Sequence, residues 1–188
     1  IAARKQLAAV YHFLKENDAA TLVIAQLRRD RPKDADVLHM QGVLLERTGK
    51  GEQAIPVLEE AAALDPNNGM IMVDLGLAHR KKGQMSDALD RYDEAIQREP
   101  KLAVAYFNRG EVLQRLDRGD EAIGAYRKAG ELDPEYARPH VALGKLYADL
   151  GSTNKAERSL SRALRIDPAD ADAHYNLGIL YFRQRRYR

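Results

Sequence analysis

Small and apolar residues recur along this chain in columns 34 positions apart. Ala20, Ala54, Ala88, Ala122 and Ala156 form one column, and Ala61, Ala95, Ala129 and Ala163 a second that starts at Leu27. Between them runs a column of large apolar residues: Ile24, Leu58, Tyr92, Tyr126 and Leu160. Gly42, Gly76, Gly110, Gly144 and Gly178 share a fourth, with Ala8 at its head. Pro32, Pro66, Pro100, Pro134 and Pro168 close each interval without one insertion. Phased on those prolines, the chain divides into units 1–34, 35–68, 69–102, 103–136 and 137–170, then a half unit 171–188. In the first half of each unit, columns 4, 7, 8 and 11 stand at i, i+3, i+4 and i+7, the spacing of one buried helix face.

Each column has a physical reason. Glycine and alanine at fixed helical positions let two backbones approach, and the large apolar column fills the space beside them. Proline after the second helix stops it, because it has no amide to donate and its ring clashes with the preceding turn. Gly49, Gly83 and Gly151 mark the turn between two helices, where a left-handed residue is wanted. Asp18, Ser86, Asp120 and Asn154 share a column before the second helix and are expected to cap it, with Glu52 the exception. Each unit therefore reads helix, tight turn, helix, proline, which predicts five full helix pairs and one extra helix.

These columns resemble the tetratricopeptide repeat family over essentially the whole chain. The match is specific in the Gly, Ala and Pro columns and looser elsewhere. The family's first large residue is replaced by Arg4, Leu38, Met72, Tyr106, His140 and His174. Its leucine before the glycine is kept at Leu7, Leu75, Leu143 and Leu177 but is Gln41 and Arg109 in two units. The resemblance implies an all-α, right-handed superhelical solenoid of antiparallel helix pairs, about five and a half repeats in one array spanning 1–188. It also implies a concave groove lined by columns 2, 5, 6, 9, 12 and 13 of each first helix.

Those columns place Met40, Met70, Val73, Asp74, Leu77, Arg80, Lys81, Val104, Phe107, Asn108, Glu111, Arg115, Val141 and Lys145 along the middle of the groove. All three phenylalanines, Phe13, Phe107 and Phe182, fall there too. Met40, Val43, Met70, Val73, Leu77, Val104, Phe107 and Val141 form an apolar strip, and Arg47, Arg80, Lys81, Arg115 and Lys145 rim it. An apolar floor with a charged rim suits an amphipathic helix or an extended peptide with apolar anchors. The same apolar residues, the valines above all, are also placed to pack unit against unit. Two finer features known in such arrays fit poorly. A clamp for chaperone carboxyl termini would need Lys5 to be joined by asparagine where Ala9 and Met40 stand and by lysine and arginine where Met70 and Asp74 stand. An asparagine ladder that holds peptide backbones is represented only by Asn108 and Asn176.

Composition narrows the remaining options. The chain has 188 residues, with 30 basic and 28 acidic side chains interspersed to a formal net charge of +2. A basic tract of the kind that neutralises phosphates is missing apart from the end Arg183, Arg185, Arg186 and Arg188, so nucleic acid is not an expected partner. Cysteine is absent, which removes disulfides, thiolate zinc sites and cysteine nucleophiles and fits either redox compartment. No apolar run approaches the roughly 20 residues a membrane helix needs. The five histidines, His12, His39, His79, His140 and His174, are scattered over different columns except His140 and His174, which share a core-facing one. A metal site needs several convergent ligands, and the glycines follow the repeat rather than clustering as a phosphate loop. No cofactor, metal or catalytic residue is expected.

The expected function is a non-enzymatic scaffold that binds a protein or peptide in its groove. The alternative is the substrate-recruiting arm of a larger enzyme, such as an O-linked glycosyltransferase. The chain opens on Ile1 rather than Met, so it is expected to be a piece of a longer protein. The last helix, with Leu177, Ile179, Leu180 and Tyr181, has no following helix to cover it, which points to self-association or to cover by further chain. No compartment is indicated.

Overall fold

The computed structural model describes residues 16–184. The expected first helix, with Ala2, Lys5, Gln6, Ala8, Ala9, His12 and Phe13, and the arginines beyond 184 lie outside the described residues. Ten helices and no strand occur among those described: α1 Asn17–Asp30, α2 Ala35–Arg47, α3 Gly51–Leu64, α4 Gly69–Lys81, α5 Met85–Arg98, α6 Ala103–Arg115, α7 Gly119–Leu132, α8 Ala137–Asp149, α9 Thr153–Ile166 and α10 Ala171–Arg183. They fall into two compact units, Ile1–Pro100 and Lys101–Arg188.

The stop and turn signals act as expected. α1, α3, α5, α7 and α9 each end two residues before a column proline, and the residue between is extended, with ψ of 78° at Asp65 and 96° at Asp133. The proline ring excludes the helical conformation from the residue before it. Gly49, Gly83 and Gly151 have φ of 77°, 83° and 69°. At Gly49 the amide of Lys50 reaches back to the carbonyl of Leu45 at 2.8 Å, and that of Gly49 to Glu46 at 3.2 Å. This is the paired closure that satisfies the last free carbonyls of a helix. Asp117 takes the same place in the fourth repeat with φ 57°, since aspartate is one of the few residues that tolerates it.

The expected caps are corrected. Second helices start one or two residues earlier than anticipated, so Asp18, Ser86, Asp120 and Asn154 lie inside the first turn rather than at its cap. There Asp18 and Asp120 still face the positive end of the helix. The side chains that do cap belong to first helices: Asp34 accepts from the Val37 amide, Asn68 from Ile71 and Asp170 from Ala173.

In the first unit α2 packs on α3 and α4 on α5, while α1 packs on α2 and α3 on α4. In the second, α6 packs on α7 and α8 on α9, while α7 packs on α8 and α9 on α10. Within a pair the glycine column receives the large column. A β-carbon on Gly42 would stand 2.5 Å from Leu58, on Gly76 2.6 Å from the Tyr92 ring, and on Gly144 2.5 Å from Leu160. The core stripe of a first helix is wider than its sequence spacing indicated. Columns 3 and 10 are buried in every described repeat, as Val37 and Leu44, Ile71 and Ala78, Ala105 and Val112, Pro139 and Leu146, and Ala173 and Leu180. In the first unit Val37 and Leu44 meet the preceding second helix, joining Ala20, Ile24 and Leu27.

Candidate functional site

First helices lie side by side within each unit, α2 by α4 and α8 by α10. In the first unit, His39 of α2 and Asp74 of α4 meet at 2.6 Å, and Lys81 Nζ lies 2.7 Å from the buried Glu46 carboxylate. Met70 and Lys81 are exposed, and Met40, Asp74, Leu77 and Arg80 are half-buried. Met40 also packs against the core formed with α1. Val73 is buried.

The second unit gathers more of the expected residues around one cavity of about 410 Å³. Phe107, Glu111, Gln114 and Arg115 come from α6, Tyr126 from α7, Arg138, Val141, Ala142 and Lys145 from α8, and Asp172 from α10, with Asp170 at its cap. Its floor is more enclosed than an exposed strip. Phe107 is only 3% exposed: its ring lies 5.7 Å from Tyr126 and 5.3 Å from Tyr136, centroid to centroid, and the Arg138 guanidinium sits 4.5 Å above it. Burial raises the Tyr136 hydroxyl above the ordinary tyrosine range, and Arg138 partly opposes that. Val141 packs with Leu160, Ala163 and Ala173. Phe107 is therefore not an open apolar face, and Val73 and Val141 take the packing role that was one of the two their columns allowed. Phe107 shapes the cavity through its edge and through the arginine it carries.

The rim is also less cationic than the columns suggested. Lys145 reaches Asp172 at 3.4 Å, and Arg138 reaches Glu111 at 4.0 Å. Arg115 is exposed and makes no ion pair among the described residues. Val104 is half-buried, and its carbonyl accepts from the Asn108 side-chain amide at 2.9 Å. Asn176 is tied to the Asp172 carbonyl in the same way at 2.6 Å. The Tyr126 hydroxyl donates to Gln114 at 2.9 Å. The result is a cavity with aromatic and aliphatic walls, paired charges of both signs and a guanidinium, that of Arg115, without an ion pair among the described residues.

On α10 the open residues differ from those anticipated. Leu180 is buried and Leu177, Ile179 and Tyr181 are half-buried, whereas Tyr175 and Phe182 are 68% and 64% exposed. The Tyr181 hydroxyl donates to Glu157 at 2.9 Å, which turns that ring back towards α9. Among the described residues no group of three or more metal-ligating side chains converges, and no helix is long and apolar enough to cross a membrane.

Solved structures share this fold. A thermophilic TPR protein of Thermus thermophilus, TTC0263, superposes with a TM-score of 0.81 at 21% identity, over 96% of this chain and 98% of its own. PilW, a type IV pilus biogenesis factor, gives 0.87 at 14% identity over 98% and 86%. YrrB, described as a TPR protein with an unusual peptide-binding site, gives 0.67 at 21% identity over 87% and 84%. No curated protein matches the chain. A TPR-repeat family model matches residues 76–117, 118–151 and 144–184, and a second tetratricopeptide model matches 16–69. With its helix pairs, its glycine and proline columns and these matches over most of its length, the chain belongs to the tetratricopeptide repeat family.

Proposed function

We propose that this chain is a scaffold that seats a short peptide segment of a partner protein in the cavity between α6, α8 and α10. The fold is that of protein-interaction scaffolds, which are generally non-catalytic. One observation carries the finer reading: successive first helices converge on a cavity of about 410 Å³ with an apolar floor and fixed charges of both signs. A peptide backbone or polar side chain finds donors at Arg115, Arg138 and Lys145 and acceptors at Glu111 and Asp172. An apolar side chain finds Val141, Ala142 and the Phe107 edge. Recognition that combines apolar anchors with few placed polar groups is the usual economy of such sites. YrrB, a protein of the same fold, has a peptide-binding site of its own. In the first unit, Met70 and Leu77 of α4 and Met40 of α2 offer a smaller apolar contact for the same kind of ligand.

The test is a peptide array probed with the 188-residue chain and with a double variant, Arg115→Glu plus Lys145→Glu. Both side chains reach solvent, so the fold should be kept. Peptides retained by the parent should weaken at least about tenfold on the variant, since a reversed charge leaves an unpaired group at the contact. Equal retention by both proteins would refute this placement.

A further inference from the structure

The side of α8 turned away from that cavity holds a second concavity of about 330 Å³. His140, Leu143 and Tyr147 of α8 form its floor, and Arg127 of α7 with Arg158 and Arg162 of α9 stand around it. The arginines belong to a stripe. Lys155, Arg158, Arg162 and Arg165 lie on one face of α9, opposite its buried Ala156, Leu160 and Ala163, with Glu157 the only acid on the helix. At the same four positions α3 has Gln53, Pro56, Glu60 and Ala63, and α5 has Asp87, Asp90, Glu94 and Gln97. The basic stripe is thus a property of this repeat and not of the fold.

A further observation points to a ligand. Arg127, Arg158, Arg162 and Arg165 make no ion pair among the described residues, whereas the charges around the other cavity are largely paired. His140 is 6% exposed, and the edge of its ring that carries Nε2 lies against Gly130 of α7, so the imidazole serves as a closed floor. Burial first, and then Arg162 and Arg165, hold this imidazole below the ordinary histidine value.

We propose that this concavity is a second binding site, which takes an aspartate- or glutamate-rich segment of a partner protein, with carboxylates on Arg158 and Arg162 and an apolar side chain on Leu143 and Tyr147. Guanidinium forks suit planar carboxylates in two-point contact. A continuous phosphate chain fits less well. Glu131 lies in the wall beside Arg127, and the formal charge of the whole chain, +2, gives little steering towards a polyanion. The site uses neither the residues nor the face of the proposed peptide cavity.

Fluorescence anisotropy tests this with the 188-residue chain and a labelled peptide of repeated Glu-Glu-Leu triplets. A Lys-Lys-Leu peptide and an oligouridylate of similar length serve as comparisons. The acidic peptide should bind, the basic one should not, and Arg158→Glu plus Arg162→Glu should weaken the acidic peptide at least about tenfold. The pair Arg158→Lys plus Arg162→Lys should fall between parent and reversal, and Arg115→Glu plus Lys145→Glu should change nothing. No binding, binding indifferent to reversal at 158 and 162, or tighter binding of the oligouridylate would each overturn the proposal. Loss on the 115 and 145 variant alone would assign the acidic peptide to the other cavity instead.

Discussion

Gly110 and Gly178 occupy the same column but different surroundings. A β-carbon on Gly110 would lie 2.6 Å from the Tyr126 ring, which is 1% exposed and has nowhere to move, whereas one on Gly178 would meet nothing within 4 Å. Gly110→Ala should therefore lower stability by about 1–2 kcal/mol, the strain of overpacking exceeding the gain in helix propensity. Gly178→Ala should raise it by up to about 1 kcal/mol from propensity alone. Urea unfolding midpoints check both, and equal signs would contradict the close-packing role given to the column. His140 supplies a pH dependence. Its folded value lies below the ordinary 6.5, through burial first and then Arg162 and Arg165. Well above about pH 6.5 the ring is neutral folded or unfolded, and no penalty arises. As the pH falls below that, the unfolded chain binds a proton that the folded one resists, so stability falls. His140→Gln should flatten the slope of melting temperature between about pH 6.5 and 5.

At the scale of the helix, sequence was most informative where one residue type has one physical consequence. Proline ended five helices, and glycine, or Asp117 in its place, turned the chain in four repeats. It was least informative where a position has two neighbours. Column 5 was placed on the open face because it faces away from the core stripe, yet Val73, Phe107 and Val141 are buried, Phe107 against Tyr126 and Tyr136 and Val141 with Leu160, Ala163 and Ala173. The cap positions were misplaced for a related reason: a polar residue in the first turn and one at the cap look alike in a column. Pro56 tests the backbone account. It is exposed and lies inside α3, where it removes an amide that would bond to the Glu52 carbonyl. Pro56→Ala should stabilise the chain by about 1–3 kcal/mol, somewhat offset by the greater freedom of the unfolded chain. A melting temperature that does not rise would show that α3 has already adapted to the break.

At the scale of the molecule, the repeat and its family were legible because five columns share one period, and a period survives substitutions that erase any single motif. The candidate site was legible only as a set of columns. The pairs that define its charge, His39 with Asp74, Glu46 with Lys81, Glu111 with Arg138 and Lys145 with Asp172, join residues at offsets of 35 or 27. Such offsets never align in a 34-residue phase, so a basic rim was read where much of the charge is neutralised. The basic stripe on α9 escaped notice because a single repeat carries it. What the columns do assign is a face: the side where first helices adjoin. Hydrogen exchange across the chain, with and without the peptide retained most strongly on an array, tests that assignment most directly. The account expects slowed exchange centred on α6, α8 and the start of α10, lost with Arg115→Glu plus Lys145→Glu. Protection confined to α7 and α9, with those three helices unchanged, would contradict it.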